Sequence, residues 1–345
     1  MYKIVTEGSA RIKVSGENKI SKKLPVFYNP LMKFNRDVSI LILNSINKQD
    51  MQVALPLAGT GVRGIRFLKE LKKNKIKNIS FNDYNENFLK IIKTNLSLNK
   101  IKINKKIKTF NQDANLFLLN SKGFDYIDID PFGSPNSFLD AAVKRISRDG
   151  ILAVTATDTA PLAGTYPKTC LRNYWALPKR DECMHETGLR ILIRKCQLIG
   201  AQYEKALFPI FSFYKDHYFR IFFQCLKSNE GVDKIIEQHR IICSAGPMWT
   251  GPLFNLNLIK KIKINEIKDS GLVKFIKIIK EESKINAVGF YDLNMLSKKY
   301  KIKLIKKNIL IEKIKKQGHA AAETHFNPNA VRSDIGLRDL IKILR

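Results

Sequence analysis

Between about residues 50 and 226, short apolar runs alternate with amphipathic stretches, and this alternation constrains the fold more than any other feature. "QVALPL" (52–57), "ISF" (79–81), "IKTF" (107–110), "FDYIDI" (124–129) and "GILAVTAT" (150–157) read as strands. Helical patterns separate them. Val62, Ile65, Leu68 and Leu71 share one side of "GVRGIRFLKELKK", and Phe88, Ile91, Ile92 and Leu96 one side of "NENFLKIIKTNLSLN". Strand and helix in strict alternation predict a parallel sheet covered on both faces, an α/β fold. After a helix near 185–198, "YEKALFPIFSFY" and "DHYFRIFFQCL" meet at Lys215-Asp216. That pair predicts a hairpin whose antiparallel strand closes the sheet.

From about 227 the pattern changes. Residues 257–317 are dominated by Lys, Ile and Leu at helical spacing, with Gly318 where a helix C-cap would sit. The chain therefore reads as two domains, 1–226 and a smaller 227–345. Lys+Arg 61 against Asp+Glu 31 gives a net charge of +30, an excess that favours a polyanionic partner such as nucleic acid. Codon bias toward lysine explains why Lys outnumbers Arg but not so large an imbalance. Five cysteines show no metal-ligand spacing, which predicts reduced thiols and no metal. No apolar run approaches the roughly 20 residues of a membrane span, and the N-terminus has no signal-peptide pattern. A cytoplasmic protein is expected.

The first strand runs into Ala58-Gly59-Thr60-Gly61-Val62-Arg63-Gly64. Glycines there let the chain turn sharply and let a ligand approach bare N–H groups at a helix start. Asp83 follows the second strand, where a carboxylate can accept ribose hydroxyls. Asp113 and Ala114 follow the third, placed to meet an adenine. NAD-binding sheets share this pattern, so the loop alone indicates an adenosine-containing cofactor, either NAD or S-adenosylmethionine.

The fourth strand ends in Asp130-Pro131-Phe132-Gly133, similar to the [DNS]-P-P-[FY] loop of methyltransferases that act on exocyclic amines of nucleobases. The chemistry explains the residue types. An amine on an aromatic base is a poor nucleophile because its lone pair is delocalised. Hydrogen bonds to a carboxylate and a main-chain carbonyl localise that pair, and the carboxylate can take the released proton. Phe132 offers a stacking face to an extruded base.

"EGSARIKV", "PVFYNPLMKFNRDVSI", "LAGTGVRGIR", "DIDPFGSP", "TATDTAPLAG", "HETGLRIL", "GPMWTGPL" and "THFNPNAVRSDIG" resemble, in that order, the tRNA (guanine(26)-N2)-dimethyltransferases. The resemblance implies a class I, Rossmann-like methyltransferase sheet with an α+β second domain, S-adenosylmethionine as cofactor, and tRNA as partner of a monomeric enzyme. By position it assigns Arg36, Gly59, Gly61, Arg66, Asp83, Asp113 and Ala114 to cofactor binding. The two arginines would pair the methionine carboxylate or hold a carboxylate beside it. Asp130 would be the base, with Phe132 and Phe27 as stacking rings. Several relatives carry a four-cysteine zinc cluster ahead of "GP-W-GP". Only Cys243 stands in that region here, so no structural zinc is expected and apolar packing must hold the second domain. His185, Glu186 and His325 read as structural residues. Two alternatives remain: an NAD-dependent oxidoreductase leaves DPFG unexplained, and an inactive tRNA-binding protein leaves Asp83, Asp113 and Asp130 unexplained.

Overall fold

The computed structural model describes residues 2–16, 28–303 and 305–345. An antiparallel pair, β1 (Tyr2–Glu7) and β2 (Ala10–Ser15), precedes helix Lys33–Ser45; neither belongs to the strand–helix alternation. Then come β3 (Met51–Leu55), β4 (Ile76–Asn82), β5 (Ile107–Phe110), β6 (Phe124–Ile129) and β7 (Ile146–Ala156). Helices Val62–Glu70, Phe88–Leu98, Ala114–Leu119 and Asn136–Arg145 separate them. β3 pairs in parallel with β4 and β6, β4 with β5, and β6 with β7. β8 (Lys205–Lys215) and β9 (Tyr218–Lys227) complete a seven-stranded sheet of order β5-β4-β3-β6-β7-β9-β8.

Val53, Ile79, Phe81, Ile127, Ile129 and Leu152 are fully buried, each contributing about 1.5–3 kcal/mol of hydrophobic stabilisation. A Cβ on Gly64 would lie 2.2 Å from the Phe81 ring, so helix Val62–Glu70 reaches its packing distance on β4 only with glycine there. Crossovers run from β3 through β4 to β5 on one side of β3. Then they restart at β6, on its other side, and continue to β7. Where the order reverses, the loops leaving β3 and β6 diverge and open a crevice.

The chain separates into two compact units: Met1–Thr157, Ile199–Phe208 and Phe222–Asp233 in one, Asp158–Leu198, Pro209–Ile221 and Lys234–Arg345 in the other. Compactness thus assigns residues 158–198 to the second unit, although the sequence pattern changes only near 227. That second unit holds a hairpin, β10 (His239–Ile242) with β11 (Ala245–Trp249). It also holds a three-stranded sheet: β12 (Tyr291–Asp292) and β13 (Ala321–Glu323) flank β14 (Ala330–Ser333). Leu293, Leu310, Ile314, Val331 and Leu340 form an apolar cluster against these strands.

A buried ionic network explains why the unit is discontinuous in sequence. Glu186, on helix Met184–Ala201, binds Arg332 of β14 at 2.7 Å and Arg190 at 2.8 Å. Arg332 Nε also donates to Glu282 at 3.0 Å, and Glu282 takes His325 Nδ1 at 2.7 Å and the Thr324 hydroxyl at 2.5 Å. Burial alone would raise the carboxyl pKa values. Arg332, with Arg190 beside Glu186 and His325 beside Glu282, holds both at about 2. His185 stacks on Tyr214, ring centroids 3.9 Å apart, and burial lowers its pKa. All five cysteines are free, Cys243 exposed, and no cluster of metal-ligating side chains occurs among the described residues. No helix among them is long and apolar enough to cross a membrane.

Candidate active site

At the carboxyl ends of β3 and β6 lies a cavity of about 570 Å³. The turn after β3 supplies its floor. Gly59 and Gly61 both have positive φ (55° and 77°), and a Cβ on Gly61 would lie 2.2 Å from Ile92 Cδ1. Asp83, from the end of β4, accepts the Gly59 N–H at 2.7 Å and the Asn85 N–H at 3.0 Å, so it shapes the turn as well as lining the cavity. Asn82, fully buried, donates to the Pro56 carbonyl at 2.9 Å and to the Gln112 carbonyl at 3.0 Å, tying three strand ends together. Asp113 caps helix Ala114–Leu119 through Oδ1, which accepts from Asn115 and Leu116. Asp113 and Ala114 stand at the third strand end but do not line the cavity.

The two arginines assigned to the cofactor behave differently. Arg36 grips Glu7 with Nε at 2.7 Å and Nη2 at 2.5 Å and donates from Nη2 to the Asn29 carbonyl at 2.9 Å. It lines the cavity, and its Nη1 takes no partner among the described residues. Arg66 does not line it. Its guanidinium is shared by Glu7 at 2.9 Å, Asp37 at 2.6 Å and Glu70 at 2.9 Å. Burial would lower the Arg66 pKa, but Glu70 and Asp37 raise it above the ordinary value. Of the two roles open to it, the structure supplies a carboxylate for Arg66 to hold. That carboxylate, Glu7, is buried; desolvation pushes its pKa up, and Arg36, Tyr28 and Arg66 bring it down to about 2.

At the end of β6, Asp130 Oδ2 accepts from Arg63 Nη2 at 2.5 Å, and Oδ1 takes no partner among the described residues. Arg63 is fixed in turn by Ser39 Oγ at 2.8 Å, Asn35 Oδ1 at 3.0 Å and Asp128 at 3.5 Å. Gly133 and Thr157 exchange two hydrogen bonds, N–H to Oγ1 at 2.7 Å and N–H to carbonyl at 2.9 Å, which lock the DPFG loop against the end of β7. Phe132 is 45% exposed and lines the cavity with Pro131, Tyr28 and Phe138. Phe27 lies outside the described residues.

Glu7, Arg63, Asn35 and Asp128 were not singled out from the sequence. The available signal was Arg63 and Arg66 spaced three apart among Val62, Ile65 and Phe67. A helix whose buried side carries two arginines needs buried acids to meet them.

The donor set fits S-adenosylmethionine: an uncommitted guanidinium nitrogen for a carboxylate, an acid beside the turn for ribose, and a glycine turn without Cβ obstruction. Sheet order, glycine turn and DPFG loop together define a class I methyltransferase.

Comparison with known proteins narrows this. The family described as "TRM: N2,N2-dimethylguanosine tRNA methyltransferase" matches residues 8–245 and 242–345, and the chain belongs to that family. Among its relatives, the tRNA (guanine(26)-N(2))-dimethyltransferase of Methanococcus aeolicus is 37% identical, covering 99% of this chain and 98% of its own. The tRNA (guanine(26)-N(2)/guanine(27)-N(2))-dimethyltransferase of Aquifex aeolicus is 36% identical, covering 98% of this chain and 95% of its own. The structure of Trm1 from Pyrococcus horikoshii in complex with S-adenosyl-L-methionine superposes with a TM-score of 0.89 at 31% identity, covering 99% of this chain and 100% of that one.

Proposed function

We propose that this protein transfers one or two methyl groups from S-adenosylmethionine to the exocyclic N2 amine of guanosine 26 in tRNA, the position its relatives' names give. The observation that carries the reading is Asp130, with one carboxylate oxygen fixed by Arg63 and the other uncommitted beside Phe132 in the cavity. Arg63 holds that carboxylate in place. Its second oxygen accepts a hydrogen bond from the guanine amine, localises the nitrogen lone pair and receives the proton that the amine loses. The Asp130 carbonyl, its direction set by Pro131, takes the other N–H.

Bound in the cavity, S-adenosylmethionine supplies an electrophilic methyl group on a sulfonium. Arg36 offers Nη1 to its carboxylate, and Arg66 acts one step back, sharing Glu7 with Arg36 so that the guanidinium cannot swing away. Gly59 and Gly61 shape the turn against which the adenosine lies and Asp83 accepts from the ribose, while Asp113 and Ala114, outside the cavity wall, are assigned to the adenine by the family motif alone. Phe132 stacks on the extruded guanine, and Phe27 is the second ring by its place in the family motif. Residues 1–226 carry the chemistry, and the lysine-rich residues 227–345 hold the tRNA backbone. The enzyme works in the cytoplasm, with its thiols reduced, as a monomer.

Mass spectrometry of nucleosides after reaction with unmodified tRNA tests this. N2-methylated guanosine that is lost when guanosine 26 is replaced by adenosine supports the reading. Transfer that persists after the replacement, or none to the parent tRNA, contradicts it. The Aquifex relative's name includes guanine 27, so the same digest should report that position separately.

A further inference from the structure

"TYPKTCLRNYWALPKR", residues 165–180, contains Lys168, Arg172, Lys179 and Arg180 and no acid. All four cations are exposed, and so are Tyr166, Leu171, Trp175 and Leu177. Helix Pro167–Tyr174 explains the arrangement: Cys170 and Tyr174 are its buried residues, Lys168 and Arg172 fall on the opposite side, and Leu171 is exposed on the flank between. Contiguous exposed apolar side chains usually mark a surface that something covers.

Trp175 is the most constrained of them. It ends the helix in a left-handed conformation, φ 57°, that side chains disfavour. Its N–H donates to the Leu171 carbonyl at 3.0 Å, and its own carbonyl accepts from Arg194 Nη1 at 3.1 Å. The Lys195 ammonium sits 3.0 Å from the ring centroid. With these contacts fixing it the indole is still 44% exposed. A held ring among cations suits a partner that is both anionic and flat, which describes a nucleotide.

We infer that this surface binds an unpaired nucleotide of the RNA substrate, its base stacked on Trp175 and its phosphates paired by Lys168 and Arg172. The inference rests on the tRNA reading and adds to it a contact remote in sequence from the lysine-rich helices. Those helices supply charge, but no aromatic ring from 257 to 316 is exposed among the described residues. A second copy of the chain fits poorly, because two-fold pairing would set these cations against each other.

The chain has two tryptophans, and Trp249 is buried, so Trp175 reports from the surface. Titrating the full-length protein with tRNA should quench its fluorescence and protect it from acrylamide, and Trp175→Phe should abolish that signal. Trp175→Ala should raise KM for tRNA about tenfold with kcat little changed, and Trp175→Phe, which keeps a ring, should recover most of that loss. Arg172→Ala should reduce the salt slope of tRNA binding by about 1. Unchanged KM and emission would overturn the inference while leaving methyl transfer by the parent protein, and so the proposed function, intact. A response to anionic phosphatidylserine vesicles but not to tRNA would overturn it in favour of a membrane surface. Failure of the function itself would show instead as no transfer by the parent protein.

Discussion

In the first unit Glu7, Arg36, Arg63, Arg66, Asp128 and Asp130 form ion pairs beside the cavity at the ends of β3 and β6. In the second, Glu186, Arg190, Glu282, His325 and Arg332 join two helices to β14. The residue types and their burial are alike. Glu7, Glu186 and Glu282 all have pKa values of about 2, because neighbouring cations outweigh a desolvation that would raise them. The second cluster even borders a cavity of its own, about 480 Å³. The difference is unspent carboxylate capacity, since the second cluster also leaves Arg190 Nη2 at its cavity and the buried His325 Nε2 without a partner among the described residues. Both oxygens of Glu186 and of Glu282 are occupied, and Arg332 uses all three nitrogens. Arg36 Nη1 and Asp130 Oδ1 have no partner among the described residues. A displaced pKa or an open guanidinium nitrogen therefore marks scaffold and site equally, whereas an open carboxylate oxygen at a cavity wall marks the site.

Removing a partner from each cluster should separate the two. The largest stability effect belongs to the closed one: Arg332→Ala leaves two buried carboxylates short of a cation and should cost about 3–5 kcal/mol, read from urea denaturation. Glu186→Gln keeps the shape and should cost less. A loss under about 1 kcal/mol for Arg332→Ala would show that the network adds nothing the apolar cluster does not supply. Acid should reveal the same cluster. The folded pKa values of Glu186 and Glu282 lie below the ordinary 4.5, so their contribution is present above pH 4.5 and is lost as pH falls toward 2. Glu282→Gln should flatten the stability profile across that window, and an unchanged profile would assign acid unfolding elsewhere.

At the cavity beside the first cluster, Asp83→Ala should weaken S-adenosylmethionine by about 2 kcal/mol, roughly thirtyfold, with little change in tRNA affinity. Calorimetry measures both, and equal losses would mean that the turn rather than the ribose contact was broken. Phe132→Ala should have the smallest effect, a loss in transfer worth about 1–2 kcal/mol with tRNA affinity kept. A normal transfer rate would remove its stacking role.

Local pattern made much of this legible in advance. The strands at 79–81, 107–110 and 124–129 fall inside β4, β5 and β6 because apolar runs and turn residues are set over a few positions. Asp83 and Asp130 were legible because strand ends put their next residues in the crevice. Partnerships between distant residues were not. Arg63 meets Asp130 across 67 residues, Arg66 meets Glu7 across 59, and Arg332 meets Glu186 across 146. None of these separations leaves a periodic trace. For the same reason residues 158–198 read as a continuation of the first sheet, although their ionic contacts place them with the C-terminal elements.

The central claim is that the open oxygen of Asp130 performs the proton chemistry on the base. Single-turnover methyl transfer to unmodified tRNA by Asp130→Ala and Asp130→Asn, with S-adenosylmethionine affinity measured on the same preparations, tests it most directly. The account predicts a rate loss of about 10²–10⁴-fold for alanine, a trace of activity for asparagine, and cofactor affinity within about twofold of the parent. Near-normal transfer by the alanine variant, in which Arg63 keeps Asp128, Ser39 and Asn35, would contradict it.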